Sequence, residues 1–141
     1  MSAPIRVMIV DDHELVREGL RSVLVQEEAV ELVGEAKDGE QAVEAADRLR
    51  PDVVLMDYHL PDGDGVSLTR EIRAVLPSAR VVFLTAQGHD AVLIDALDAG
   101  ATGFVTKNGS AAELVAAIRA AAEGESYFTP DVLAQLVSVR H

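Results

Sequence analysis

The sequence has no cysteine, and no apolar run in it approaches the roughly 20 residues that a membrane-spanning helix needs. The lack of cysteine excludes a disulfide framework and cysteine–zinc sites. The segment from Met1 to Arg6 lacks the basic patch and long apolar stretch of a signal peptide. With neither a membrane span nor a signal peptide in the sequence, we expect a soluble, cytoplasmic protein. A chain of 141 residues can bury one substantial core, so we expect a single domain.

Basic residues are also scarce, with 12 against 24 acidic ones and a net charge of −12. Such a surface repels the phosphate backbone of nucleic acids, so this chain on its own is a poor candidate for binding DNA or RNA. We expect most of the carboxylates to do no more than keep the protein soluble. Only two of the basic residues are lysines, Lys37 and Lys107.

The chain alternates short apolar runs with longer segments of helical period. We predict strands at Ile5–Val10, Val30–Ala36, Asp52–Met56, Arg80–Leu84 and Gly103–Thr106. We predict helices at Glu14–Gln26, Gly39–Leu49, Val66–Leu76, Asp90–Ala99 and, after a capping box at Ser110 and Glu113, to about Glu123. Near-continuous apolar strands indicate a parallel sheet that helices cover on both faces. The predicted fold class is therefore α/β, a single flavodoxin-like, doubly wound domain with five strands in the order 2-1-3-4-5.

The alternation ends at Gly124–Pro130, and Asp131–Val139 adds one short amphipathic segment. That segment is too short to form a domain. It is either a C-terminal helix that docks on the core or the start of a linker, and the pattern leaves both interpretations open.

Polar side chains follow four of the five predicted strands. Asp11 and Asp12 follow the first strand, Asp57 the third, Thr85 the fourth and Lys107 the fifth. The carboxyl ends of parallel strands meet at one edge of a sheet, where ligands bind. We therefore expect three carboxylates, a hydroxyl and an ammonium group to converge in one crevice.

Clustered carboxylates repel one another unless a cation neutralises them. Mg²⁺ takes oxygen ligands and commonly binds one or two carboxylates together with a phosphate. Asp57, beside such an ion and Lys107, is suited to accept a phosphoryl group as an acyl phosphate. His13 and His59 lie close by in the sequence and are expected to be neutral and solvent-facing, although with the carboxylates they also permit a transition metal.

Each residue also has a purely structural interpretation. Asp12 could cap the first helix, and Asp57 could be a loop carboxylate before a turn. Thr85 could bond to backbone at a strand end, and Lys107 could be solvated. Independent structural roles would not place all four at one edge of one sheet, so we favour the joint interpretation.

Four segments of the chain resemble the signature segments of receiver domains in bacterial two-component response regulators. They are Val10–His13, Leu55–Gly65, Leu84–Ala86 and Gly103–Lys107. The resemblance extends from about Ile5 to Glu123, and order, spacing and strand placement all agree with it. It implies a phosphorylation-activated switch that a sensor histidine kinase phosphorylates.

The resemblance also implies roles for individual residues. Asp57 is the phosphoacceptor. Asp12 and Asp57 ligate Mg²⁺, which Mn²⁺ can replace, the backbone carbonyl of His59 is a third protein ligand, and Asp11 acts through water.

The remaining implied roles belong to the fourth and fifth strands. Thr85 bonds to the phosphoryl group, and Lys107 pairs with it. Phe104 changes rotamer on activation, so Thr85 and Phe104 together form the switch.

Further segments are similar to response regulators of the NarL/FixJ type, namely Asp11–Leu20, Val33–Ala36, Leu97–Ala101 and Gly124–Pro130. In that group the last segment leads into a linker and a helix-turn-helix DNA-binding domain. The resemblance therefore implies a receiver domain at residues 1–124, and a linker or C-terminal helix at residues 125–141 leading toward an effector domain absent from this chain. It also implies transcriptional control by the full-length protein, a homodimer on phosphorylation, DNA binding only through the absent domain, and no membrane partner. We interpret the chain as an excised receiver rather than a stand-alone one.

Other classes of protein fit less well. Hydrolases of the haloacid-dehalogenase type also use an aspartyl nucleophile and Mg²⁺, but they carry a second aspartate two residues later, where this sequence has His13. A nucleotide- or flavin-binding domain needs a glycine-rich phosphate loop, which Gly63–Gly65 does not provide. A receiver unable to take phosphate usually lacks part of the acidic set, which is complete here. We therefore expect no enzyme activity beyond self-phosphorylation and autodephosphorylation at Asp57.

Overall fold

The structure is a computed structural model, and it describes residues 3–57, 59–60, 63–85, 100–106, 110–128 and 134. The predicted helix Asp90–Ala99, Lys107, and all of the segment 131–139 except residue 134 lie outside the described residues. Within the described part of the chain, no helix has the length and apolar character that crossing a bilayer requires.

Strands and helices alternate along the described chain much as the sequence predicts. In chain order they are β1 (Ile5–Val10), α1 (Glu14–Leu24), β2 (Val30–Ala36), α2 (Gly39–Leu49), β3 (Val53–Asp57), β4 (His59–Leu60), β5 (Gly63–Asp64), α3 (Gly65–Val75), β6 (Arg80–Thr85), β7 (Ala101–Thr106), α4 (Ala111–Ala122) and β8 (Tyr127–Phe128). Those that the sequence predicts have ends within about two residues of the prediction, the usual uncertainty of a helix boundary.

A parallel sheet with the strand order β2-β1-β3-β6-β7-β8 forms the centre of the molecule. Its first five strands follow the predicted order, so the α/β, flavodoxin-like fold is confirmed. The sheet has one strand more than predicted, because β8 pairs with β7 at its edge. Two residues are too few to show a periodicity, which is why β8 could not be found from the sequence. A separate antiparallel hairpin of β4 and β5 follows β3.

The central strands are apolar along their whole length because both faces of the sheet are covered. In β1, Met8 and Val10 belong to one buried cluster, while Val7 and Ile9 belong to the other. Residues of α2 and α3 complete the first cluster, and residues of α1 and α4 complete the second. Burial of each such side chain stabilises the fold by about 1.5–3 kcal/mol. The end of β1 is therefore a firmly fixed starting point for the loop that follows it.

The beginnings of two helices are fixed by side-chain caps. Asp38 accepts a hydrogen bond from the backbone N–H of Gln41 at 2.8 Å, where α2 begins. The hydroxyl of Ser110 accepts from the backbone N–H of Glu113 at 3.1 Å, and the Glu113 carboxylate accepts from the backbone N–H of Ser110 at 3.1 Å. This confirms the capping box predicted for the helix α4.

Strand β8 approaches β7 closely at Gly103. A Cβ atom at this position would lie only 2.8 Å from the carbonyl oxygen of Tyr127. The pairing places Phe104 beside Phe128, and their stacked rings have centroids 5.8 Å apart. On its other side the ring of Phe104 stacks on Phe83 at 5.5 Å. Phe104 is thus the buried middle member of a stack of three rings, of which Phe128 is only partly buried.

Candidate functional site

Two of the acidic residues lie side by side, where the neighbouring strands β1 and β3 end. The last residue of β1, Val10, pairs with Met56, so Asp11 and Asp57 are the next residues on the two strands. The backbone N–H of Asp11 donates to the carbonyl oxygen of Ala36 at 3.0 Å, which ties the loop to the end of β2. Asp11 is fully buried, and Asp57 is 2% exposed.

The carboxylates of Asp11, Asp12 and Asp57 and the imidazole of His13 form one cluster, which we call the acidic cluster. Each offers a ligand atom, and these atoms all lie within 4.8 Å of one another. The Nδ1 atom of His13 lies 3.0 Å from Asp11 Oδ1, 3.1 Å from Asp12 Oδ1 and 3.9 Å from Asp57 Oδ2. The three carboxylates thus converge as expected from the strand ends.

His13 differs in part from its prediction. Its side chain is 60% exposed, as expected of a solvent-facing residue, but its Nδ1 atom faces the carboxylates. The backbone N–H of His13 donates to Asp11 Oδ1 at 2.8 Å, which brings the ring over the acidic cluster. An aspartate commonly bonds in this way to the backbone two residues on, so the Asp-Asp-His order was an available signal.

The interpretation of Asp12 as a helix cap is not supported. The residue that precedes α1 is His13, and its side chain makes no capping hydrogen bond. Asp12 lies one residue earlier, and its carboxylate belongs to the acidic cluster.

The donor atoms of the acidic cluster suit a hard divalent cation. Three of the four ligand atoms are carboxylate oxygens, and two of these carboxylates are buried. Burial of ionised carboxylates costs free energy unless a cation neutralises them. Carboxylate oxygens are the protein ligands that Mg²⁺ prefers. The acidic cluster can therefore hold a metal ion.

A group of charged residues that the sequence did not reveal lies beside Asp11. Nη1 of Arg17 donates to the backbone carbonyl oxygen of Asp11 at 2.5 Å, and Nε of Arg17 lies 3.4 Å from Glu35 Oε1. Arg21 donates two hydrogen bonds to Glu35, at 2.8 and 2.9 Å. Chiefly because of the hydrogen bond from Arg21, the pKa of Glu35 is lowered, although burial opposes the shift. The only available signal was the spacing of the two arginines, four residues apart on one face of α1.

Of the other predicted site residues, Thr85 ends a strand at this edge of the sheet, His59 follows β3, Phe104 lies within a strand, and Lys107 lies outside the described residues. Thr85 ends β6, which is the neighbour of β3, and its backbone alone is described. His59 begins β4 in the hairpin after β3. Lys107 follows β7 directly but lies outside the described residues, and Phe104 is buried within β7. The roles assigned to these residues stay predictions.

Residues 7–119 match the sequence profile of the response regulator receiver domain. This chain belongs to that family. The response regulator protein VraR of Staphylococcus epidermidis is 43% identical over 132 residues, which are 94% of this chain and 63% of VraR. This chain therefore spans less than two thirds of the length of that relative.

Two solved structures have closely similar folds. A two-component response regulator of the LuxR family from Aurantimonas sp. SI85-9A1 has a TM-score of 0.92 at 37% identity, covering 98% of this chain and 99% of that one. The isolated receiver domain of RcsB from Salmonella enterica serovar Typhimurium, solved with the phosphomimetic BeF₃⁻, has a TM-score of 0.86 at 31% identity, covering 95% and 99%. These matches agree with the family resemblance found in the sequence.

Proposed function

We propose that this receiver domain is a phosphorylation-activated switch that accepts a phosphoryl group on Asp57 from a sensor histidine kinase. The observation that carries the proposal is the position of Asp57. Its carboxylate is buried at the end of a central strand, and its ligand atom lies within 4.8 Å of those of Asp11 and Asp12. A related receiver domain, that of RcsB, has been solved with a phosphomimetic, which supports a phosphoryl group as the signal.

The chemistry that we propose is the formation of an acyl phosphate. A carboxylate oxygen of Asp57 attacks the phosphorus of the donor, and the bond from phosphorus to the leaving atom breaks with its electron pair on that atom. Asp12 and Asp57 would hold Mg²⁺ or Mn²⁺, together with the backbone carbonyl of His59 and, through water, Asp11. The bound ion supplies positive charge to the phosphoryl oxygens. Hydrolysis of the acyl phosphate returns the carboxylate, so self-phosphorylation and autodephosphorylation are the only reactions.

The response to the phosphoryl group is assigned to Thr85 at the end of β6, to Phe104 in β7 and to Lys107 directly after β7. Lys107 pairs with the phosphoryl oxygens, and the Thr85 hydroxyl moves to bond with them. That movement leaves room for the ring of Phe104 to rotate. Since Phe104 stacks on Phe83 and Phe128, its rotation changes the packing on both sides. Two alternative packings of one ring are the bistable element that a switch needs.

We extend the proposal to the full-length protein, because the VraR relative continues beyond the matched part. Residues 1–124 are the receiver domain, and residues 125–141 are a linker or C-terminal helix leading toward a helix-turn-helix domain. The full-length protein would control transcription in the cytoplasm, form a homodimer on phosphorylation, and bind DNA only through that further domain. β8 lies within the 125–141 segment and pairs with β7, so the beginning of this segment packs on the receiver domain.

Intact-mass spectrometry after incubation with acetyl phosphate tests this function. We expect the full chain to gain one phosphoryl group when MgCl₂ or MnCl₂ is present and none when EDTA is added. Asp57→Asn should gain none under either condition. Asp47→Asn is a matched control, because Asp47 is a carboxylate on α2 that is 68% exposed, and it should behave like the wild type. Equal modification of wild type and Asp57→Asn would contradict the proposal.

A further inference from the structure

The backbone of Asp11 is held at its N–H and at its carbonyl oxygen, and this carbonyl belongs to the peptide that joins Asp11 to Asp12. The N–H of Asp11 donates to the carbonyl oxygen of Ala36 at the end of β2, at 3.0 Å. The carbonyl oxygen of Asp11 accepts from Nη1 of Arg17 on α1 at 2.5 Å. Rotation of this peptide would move both aspartate side chains, since it lies between them. Its orientation therefore sets how the two carboxylates face Asp57.

Arg17 is itself fixed by Glu35. Nε of Arg17 lies 3.4 Å from Glu35 Oε1, and the Arg17 side chain is only 16% exposed. A guanidinium group carries five N–H donors in a rigid plane, so it can hold a carbonyl oxygen and a carboxylate at once. A lysine ammonium is a point charge on a flexible stem and cannot reproduce that geometry. Glu35 is therefore an anchor that keeps Arg17 on the carbonyl of Asp11.

We propose that Arg17 is a positioning residue for the divalent-cation site. It fixes the peptide between Asp11 and Asp12, and Glu35 holds it in place. Arg17 does not touch the ion. This inference rests on the proposed function, because it takes the acidic cluster to be the Mg²⁺ site.

The sign of the effect separates positioning from plain electrostatics. Removal of a positive charge near a cation site strengthens cation binding if only Coulomb interactions matter. Loss of a positioning contact weakens it. Arg21 is a matched control, because it carries the same charge, binds the same Glu35 carboxylate and makes no hydrogen bond to Asp11 within the described residues.

Titration of the 141-residue chain with MgCl₂, followed by amide NMR, measures the dissociation constant directly. We expect Arg17→Met to bind Mg²⁺ about tenfold more weakly than the wild type, in the range found for residues that orient metal ligands. Arg21→Met should remain within about twofold of the wild type, because it leaves the contact to Asp11 intact. Arg17→Lys, which keeps the charge and one donor, should weaken binding by about threefold, a partial rescue.

Several outcomes would overturn the inference. Unchanged or tighter Mg²⁺ binding by Arg17→Met would show that only its charge matters. Equal weakening in Arg17→Met and Arg21→Met would assign the effect to Glu35 or to general destabilisation. If thermal melts show that Arg17→Met does not fold, the same comparison is made between Arg17→Lys and Arg21→Lys, and equal affinities would overturn it. A wild type that binds no Mg²⁺ would instead refute the proposed metal site itself.

Discussion

Gly103→Ala is expected to displace the strand β8 from the sheet. The added Cβ atom would lie 2.8 Å from the carbonyl oxygen of Tyr127, which is backbone and cannot turn aside as a flexible side chain does. Movement of β8 would withdraw the half-buried ring of Phe128 from Phe104, where the centroids are 5.8 Å apart. Complete burial of a phenylalanine contributes about 1.5–3 kcal/mol, and a ring pair adds about 0.5–1.5 kcal/mol. For a half-buried ring we therefore expect the free energy of unfolding to fall by about 1–3 kcal/mol.

The same substitution at Gly19 provides a control of opposite sign. Gly19 lies inside α1, and an added Cβ atom there meets nothing within 4 Å. Alanine favours a helix interior over glycine by about 0.5–1 kcal/mol, so Gly19→Ala should be more stable than the wild type. Urea unfolding of both variants gives the free energies, and amide hydrogen exchange at Tyr127 and Phe128 reports on β8. Gly103→Ala with wild-type stability and unchanged exchange at these two residues would refute this reasoning.

Three further predictions concern an ion pair, a helix cap and the switch. The pKa of Glu35 is lowered in the folded state, so its ionised form stabilises the fold at pH values above its ordinary pKa of 4.5. This stabilisation is lost as the pH falls through the pKa of the folded state. Glu35→Gln should therefore show a shallower loss of stability on acidification than the wild type in urea midpoints measured across that range, and an identical profile would contradict this. Ser110→Ala removes half of the capping box and should lower the free energy of unfolding by about 1 kcal/mol in urea titrations, whereas no change would mean that the box contributes nothing. Thr85→Ala should accept a phosphoryl group but lose the amide shift changes that BeF₃⁻ causes around Phe104, and the full wild-type pattern would refute the coupling.

The sequence predicts most of the fold because its strands are unambiguous. Val7 to Val10 are all apolar, and so short a run directly before a segment of helical period is typical of a strand buried on both faces. The order of the strands then follows from the rules for right-handed crossovers. Strand β8 cannot be predicted in this way. The pairing of Tyr127 and Phe128 with β7 depends on Gly103, which lies more than twenty residues earlier in the chain. Contacts of that range leave no local pattern.

The acidic part of the site is predictable for a topological reason, and its surroundings are not. Asp11 and Asp57 each follow a strand, and those strands are neighbours, so their proximity follows from the fold alone. The turn of His13 toward the carboxylates depends on a rotamer and on two contacts with Asp11 Oδ1, one from the backbone N–H and one from Nδ1 of His13. The bridge from Arg17 to Glu35 joins a helix to a strand, and spacing within α1 cannot show which carboxylate it meets.

The central claim is that Asp57 carries the phosphoryl group. Sodium borohydride reduces an aspartyl acyl phosphate to homoserine, so tandem mass spectrometry of the treated protein identifies the modified position. After incubation with acetyl phosphate and MgCl₂, we predict homoserine at position 57 in the wild type and none without MgCl₂. Homoserine at Asp11 or Asp12, or an unchanged Asp57 in protein that has gained a phosphoryl group, would contradict the claim.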